Sequence, residues 1–111
     1  MRIDYDGRRF GPAGSAGEDG LVALYRQDGD LLYGEFSGGR SRRGGLAGTC
    51  APDGTLSFAY CMVQAGGEVI SGHCVSTPEL LDDGRVRLCE QWERYGEHAG
   101  QGVSWLEELA S

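Results

Sequence analysis

The chain has 111 residues, of which 20 are glycine and three proline, and 40% are apolar. That content stops short of the ~25–30% Pro+Gly that marks low-complexity disorder, shows no Gly-X-Y period, and leaves enough apolar residues for one core. A net charge of −7, from seventeen acids against ten bases, sets the surface against phosphate backbones and anionic bilayers, so neither nucleic acid nor membrane is expected as a partner.

The start of the chain, Met1 to Asp6, lacks the apolar stretch of a signal peptide, and no run approaches the ~18 apolar residues of a spanning helix. A cytoplasmic location is therefore expected. No amphipathic 3.6-residue period of useful length occurs; short runs rich in Val, Leu, Tyr, Phe and Thr alternate with glycine turns instead. Asp6-Gly7 separates Ile3 to Tyr5 from Arg8 to Phe10, a short hairpin signal, and residues 11–20 read as a mobile loop. Leu21 to Gln27 and Asp30 to Phe36 flank a turn at Asp28-Gly29. Arg40 to Cys50 is a ragged strand holding Gly44, Gly45 and Gly48. The turn Ala51-Pro52-Asp53-Gly54 follows it, with proline placed ahead of Asp-Gly as turn chemistry favours.

Thr55 to Gln64 and Glu68 to Val75 are the next strands. Residues 76–81, which contain Pro78, read as irregular or as a single helical turn. Arg85 to Tyr95 is another strand. The closing segment around Ser104-Trp105-Leu106-Glu107 fits a helix capping box, but the run behind it is too short for a stable helix, so a strand is favoured. About nine strands joined mostly by hairpin-length connections make an all-β antiparallel meander. Such a meander removes its exposed edges by closing, so the expected fold is one domain over 1–111, a small lipocalin-like β-barrel of about eight to ten strands. Gly34, Gly44, Gly45, Gly48, Gly72 and Gly102 fall inside strands and are candidates for the bulges and bends that let a sheet curl.

Alternation sorts each strand into two faces. Leu56, Phe58, Tyr60 and Met62 share one face, and Val86, Leu88, Glu90 and Trp92 share another that is apolar but for the glutamate. Glu90 is thus expected inside, where a carboxylate must be paired, hydrogen-bonded or protonated. Two roles compete for it. It bonds a tyrosine hydroxyl, His73 or an arginine and sets barrel register, or it anchors a ligand in a cavity with Tyr60, His73 and Trp92 as companions. His98 falls in a glycine-rich loop and is expected to be solvated.

Other chemistry is less well supported. Cys50, Cys61, Cys74 and Cys89 include no C-x-x-C pair, so neither a metal site nor a disulfide framework is expected, and they read as small apolar strand residues. Arg42-Arg43-Gly44-Gly45-Leu46-Ala47 fits the R-x-x-G-x-A pattern with which acetyltransferases cradle a pyrophosphate, but a turn follows it where that cradle needs a helix. Arg40, Arg42 and Arg43 then read as a solvated strand end able to meet an acidic ligand. No G-x-S-x-G elbow occurs, Asp28-Gly29-Asp30 lacks the remaining ligands of a calcium loop, and adjacent His73 and Cys74 point to opposite faces.

The chain resembles a family of small bacterial proteins of about this length. The resemblance runs through Gly7-Arg8-Arg9-Phe10, Tyr33 with Ser37-Gly38-Gly39, Gly45-Leu46, residues 72–79 (Gly-His-Cys-Val-Ser-Thr-Pro-Glu), residues 83–88, Glu90-Gln91-Trp92 and residues 102–108. Its members often carry the label N-acetylglutamate synthase, which implies an acetyltransferase; it supplies no catalytic residues to place on this chain. The residues themselves favour a non-enzymatic module that binds a small, partly apolar ligand inside the barrel without a cofactor. The alternatives are that acetyltransferase and a self-association module, a homodimer for instance, with a filled core. An interior cavity lined by Tyr60 and Trp92 separates the first reading from the last.

Overall fold

A computed structural model describes residues 3–13 and 20–110. Eight strands follow one another: β1 (Arg9–Pro12), β2 (Val22–Asp28), β3 (Leu31–Gly38), β4 (Ser41–Cys50), β5 (Leu56–Gln64), β6 (Val69–Leu80), β7 (Val86–Arg94) and β8 (Gly100–Glu108). A 3₁₀ turn at Gly96–His98 links β7 to β8. Each strand pairs antiparallel with the next, and β1 closes the ring on β8 through Phe10↔Glu108, Gly11↔Glu107 and Pro12↔Leu106. The all-β meander closed into a barrel is therefore observed, at the lower end of the expected strand number.

The differences from the expected elements have local causes. Ile3 to Tyr5 forms no strand; the Asp6-Gly7 turn is present, and the segment before it lies over one end of the barrel. Residues 76–81 are not irregular through most of their length, because β6 runs on to Leu80 in register with β7 (Thr77↔Cys89, Pro78↔Leu88, Glu79↔Arg87). Pro78 is tolerated because pairing with β5 ends at Leu56↔Ser76, so the strand beyond is bonded on one side only and needs no donor there. The β2–β3 turn sits one residue later than expected: Asp28 still pairs with Leu31, and Gly29 takes the left-handed φ of +62° that an L side chain resists. Within the expected 11–20 loop, Gly11 and Pro12 belong to β1, and residues 14–19 lie outside the described residues.

Glycines inside the strands mark close approach rather than bulges. Register shifts fall at Phe36/Gly38 and Ser41/Arg43 instead. A Cβ at Gly44 would collide with the Phe36 ring, one at Gly72 would lie 2.6 Å from the Tyr60 hydroxyl, and one at Gly102 would lie 2.6 Å from the Trp92 ring. Three aromatic rings thus lie flat against the backbone of a neighbouring strand, where any side chain would push them inward. Gly34 and Gly48 instead let neighbouring backbone approach, and a Cβ at Gly45 would meet the Gly34 carbonyl at 3.7 Å, an ordinary contact.

The core fills one end of the barrel. Leu32, Leu56, Val86 and Leu88 are fully buried there, with Cys50 beside them. Tyr5 seals that end: its ring is fully buried, its hydroxyl donates to the Gly54 carbonyl at 2.6 Å, and its amide donates to Gln27 Oε1 at 2.9 Å. Tyr5, Phe10 and Tyr25 form a tilted aromatic stack with centroids 4.9–6.3 Å apart.

Candidate functional site

Eight strands enclose a space just wide enough to be filled by side chains or to hold one small ligand, so inward residue size decides which. At the sealed end those residues are branched and large. Toward the other end glycine takes inward positions on three strands, at Gly44, Gly72 and Gly102. The result is a cavity of about 630 Å³ open at the end opposite Tyr5, within the ~300–1,000 Å³ usual for small-molecule sites. Its walls include Tyr25, Phe36, Leu46, Phe58, Tyr60, Met62 and Trp92, with Glu90 at depth and Arg40, Gln64 and Arg94 nearer the mouth. Tyr25, edge-on to Phe58 at 6.4 Å, belongs to the same wall. Past its pairing with β1 and the bond from the Ala13 amide to the Trp105 carbonyl at 3.0 Å, β8 is bonded only to β7 among the described residues, and Ser104, also on the lining, is exposed.

Three of the four expected site residues meet here. Tyr60, Glu90 and Trp92 all line the cavity. His73 does not: it sits on the opposite face of β6, where Ser57 Oγ lies 3.1 Å from its Nε2 and Val75, Gln91 and Glu93 surround it. Residues 70, 72, 74 and 76 of β6 take the inner face, because Ile70, Cys74 and Ser76 supply its buried side chains.

Glu90 accordingly has partners that the sequence did not single out. Its Oε2 accepts hydrogen bonds from Ser76 Oγ at 3.2 Å and Cys74 Sγ at 3.5 Å, and among the described residues no tyrosine, histidine or arginine bonds it. Burial raises its pKa above the usual carboxylate range, and the two donors only partly oppose that. The effect is mutual. Burial first, then Glu90, pushes the Cys74 thiol up to about 12, and the same two causes push the Tyr25 phenol well above its ordinary value. Cys74 is therefore an inert thiol, and all four cysteines are free.

Nearer the mouth, the Tyr60 hydroxyl donates to the Glu93 carbonyl at 3.2 Å; burial raises its pKa and the Arg94 cation works against that rise. The Arg94 guanidinium stands 5.3 Å from the Trp92 ring centre. Arg94 escaped the sequence reading, although the alternation that turned Glu90 and Trp92 inward applies equally two residues further along β7.

The Arg42–Ala47 segment forms no cradle. It lies within β4, with residues 44–47 paired to both β3 and β5, so its amides are committed to the sheet ladders. Arg42 and Arg43 are exposed, and Arg43 pairs with Glu35.

The chain matches none of the curated proteins. Its barrel of eight sequential strands, sealed at one end and hollow at the other, agrees with what a family comparison finds. The profile of the avidin-like protein family matches residues 3–109, nearly the whole chain, and the protein belongs to that family.

Proposed function

We propose that the protein is a non-enzymatic binding module holding one small, partly apolar ligand in the barrel around Tyr60, Glu90 and Trp92. The observation that carries this reading is the open, aromatic-walled cavity of about 630 Å³, which a module built only for self-association with a filled core has no reason to keep. Membership of a family of small-ligand-binding barrels, biotin among their ligands, supports it. A carboxyl at depth among apolar walls supplies the isolated polar contact that orients a ligand. The reading favours binding over acetyl transfer because the R-x-x-G-x-A segment has no free amides to offer a phosphate. Four free thiols fit a reducing compartment such as the bacterial cytosol. A homodimer is compatible with this function, with Val103 and Trp105 exposed on the outer face of β8.

The test is a thermal-shift and tryptophan-fluorescence titration with biotin and a panel of small aliphatic and aromatic compounds. At least one compound is expected to raise Tm, since a ligand at a hundred times its Kd adds about 2.7 kcal/mol. It is also expected to alter an emission that Trp92→Phe abolishes and Trp105→Phe retains. A panel at millimolar concentration that moves neither signal overturns the reading.

A further inference from the structure

Among the described residues that line the cavity, Glu90 is the only acid, and half of its carboxyl is unused. Ser76 and Cys74 both donate to Oε2. Oε1 has no hydrogen-bond partner among the described residues, and it is not a sealed atom, so the cavity reaches it. Nor does a cation answer the carboxyl. Glu90 is in no ion pair among the described residues, and only the two donors offset its burial. Arg94 lies four residues away along β7, about 13 Å at the usual strand rise. That exceeds the ~8 Å screening length of physiological salt, so across the open cavity the mouth and the depth are electrostatically separate.

The groups around the free oxygen share one character. Burial raises the Tyr25 and Tyr60 phenols and Glu90 adds to both, which places its carboxyl close to the two hydroxyls. Phe58 meets Tyr25 edge to face at 6.4 Å and continues the same wall. The donors nearby are spent: Tyr60 on the Glu93 carbonyl, Ser76 and Cys74 on Glu90 itself. The depth of the cavity therefore offers a carboxyl oxygen and the faces of aromatic rings, both of which attract positive charge. A neutral ligand leaves the buried carboxyl unanswered, whereas a cation completes a pair with it. The net charge of −7 draws ligands of the same sign toward the protein.

We propose that Glu90, with the rings of Tyr25, Phe58 and Tyr60, is a subsite for the ammonium end of an amine whose apolar body lies toward the mouth along Leu46 and Trp92. This rests on the reading of the barrel as a binding module and names the class of ligand it takes. Oε1 accepts from the ammonium N–H, the rings stand against its sides, and Ser76 and Cys74 hold the carboxyl from behind. Pairing requires the carboxylate, so a proton on Glu90 leaves to solvent as the cation arrives.

The experiment is calorimetric titration of the full chain at neutral pH with phenethylamine, 2-phenylethanol and 3-phenylpropionate, probes that share a body and differ in charge. The amine is expected to bind about tenfold or more tightly than the alcohol, with the acid weakest. Glu90→Gln keeps the shape and removes the charge. It is expected to bring amine and alcohol to within about twofold of each other while leaving alcohol affinity unchanged, which shows an intact barrel. Should Glu90→Gln disturb the barrel, Tyr60→Leu removes one ring face and carries the same comparison with a smaller loss of preference. An alcohol or acid that binds as tightly as the amine, or an amine preference that survives both substitutions, overturns the ammonium subsite and leaves the binding module standing. Silence from all three probes while another small compound binds has the same meaning. No binding by any compound overturns the module, and the subsite with it.

Discussion

The two ends of this barrel are made from the same strands and have opposite interiors. Toward the Tyr5 end, inward positions carry Leu32, Leu56, Val86 and Leu88, and a segment from outside the sheet covers them. Toward the Arg94 end, inward positions alternate between glycine and large aromatic or polar side chains, so rings lie against backbone and the centre stays empty. The difference is one of side-chain volume at matched register. It shows that a small barrel can be stabilised from one end and leave the other for binding.

The sharpest test of that division compares equal truncations at the two ends. Leu56→Ala is expected to lose about 2–5 kcal/mol of unfolding free energy by denaturant titration, because it opens a void in a fully buried layer. Met62→Ala, at a wall that already faces empty space, is expected to lose less than about 1.5 kcal/mol. Equal losses would mean that the open end is as tightly packed in solution as the sealed one.

Glycine offers the next comparison. Gly72→Ala places a methyl against the Glu93 carbonyl, which is backbone and cannot step aside, and is expected to lose about 1–3 kcal/mol and disturb the Tyr60 ring. Gly45→Ala, on the outer face of β4 where the added methyl makes only an ordinary 3.7 Å contact with the Gly34 carbonyl, is expected to be neutral or to stabilise by up to about 1 kcal/mol through a less flexible unfolded chain. Similar melting curves for the two variants would break the account of inward glycines as seats for aromatic rings.

At the sealed end, Tyr5→Phe keeps the ring and removes one hydrogen bond, leaving the Gly54 carbonyl without its donor. A loss of about 1–2 kcal/mol is expected in the same titration. No loss would show that the segment before β1 is held by its ring alone.

The smallest expected effect concerns pH. Glu90 has a pKa raised on folding, so its contribution is most favourable below the unfolded carboxyl value of about 4.3 and is lost as pH climbs through the raised folded value. Wild type is therefore expected to lose stability relative to Glu90→Gln across that window and to match it most closely in acid. The exposed Asp6, Asp53 and Asp83 have lowered pKa values and act in the opposite direction, but they are present in both proteins and cancel in the difference. A difference that does not change with pH would mean that Glu90 is solvated as fully as a surface acid.

The sequence made the inward turn of Glu90 and Trp92 legible because Val86 and Leu88 precede them on a strand with a plainly apolar face. It did not make the facing of His73 legible. On β6 the set Val69, Ser71, His73, Val75 and the set Ile70, Gly72, Cys74 are equally mixed, and only pairing between two neighbours chooses between them. The partners of Glu90 were hidden for a related reason: Pro78 made residues 76–81 look like a strand's end, which removed Ser76 from the wall it belongs to. Arg94 was hidden by its charge, since a cation at a strand end is ordinarily solvated, and only closure of the barrel placed it over Trp92.

By itself, then, the sequence determined the all-β class, the succession of antiparallel hairpins and most strand positions, because alternation and turn chemistry are local properties of a few neighbouring residues. Tertiary structure alone decided that the glycines inside β4, β6 and β8 would seat rings rather than bulges, that Tyr5 would seal one end, and that Arg94 would lie over Trp92. Those outcomes depend on which residues face one another across strands distant in sequence, and that is settled only when β1 meets β8 and the interior acquires a definite volume.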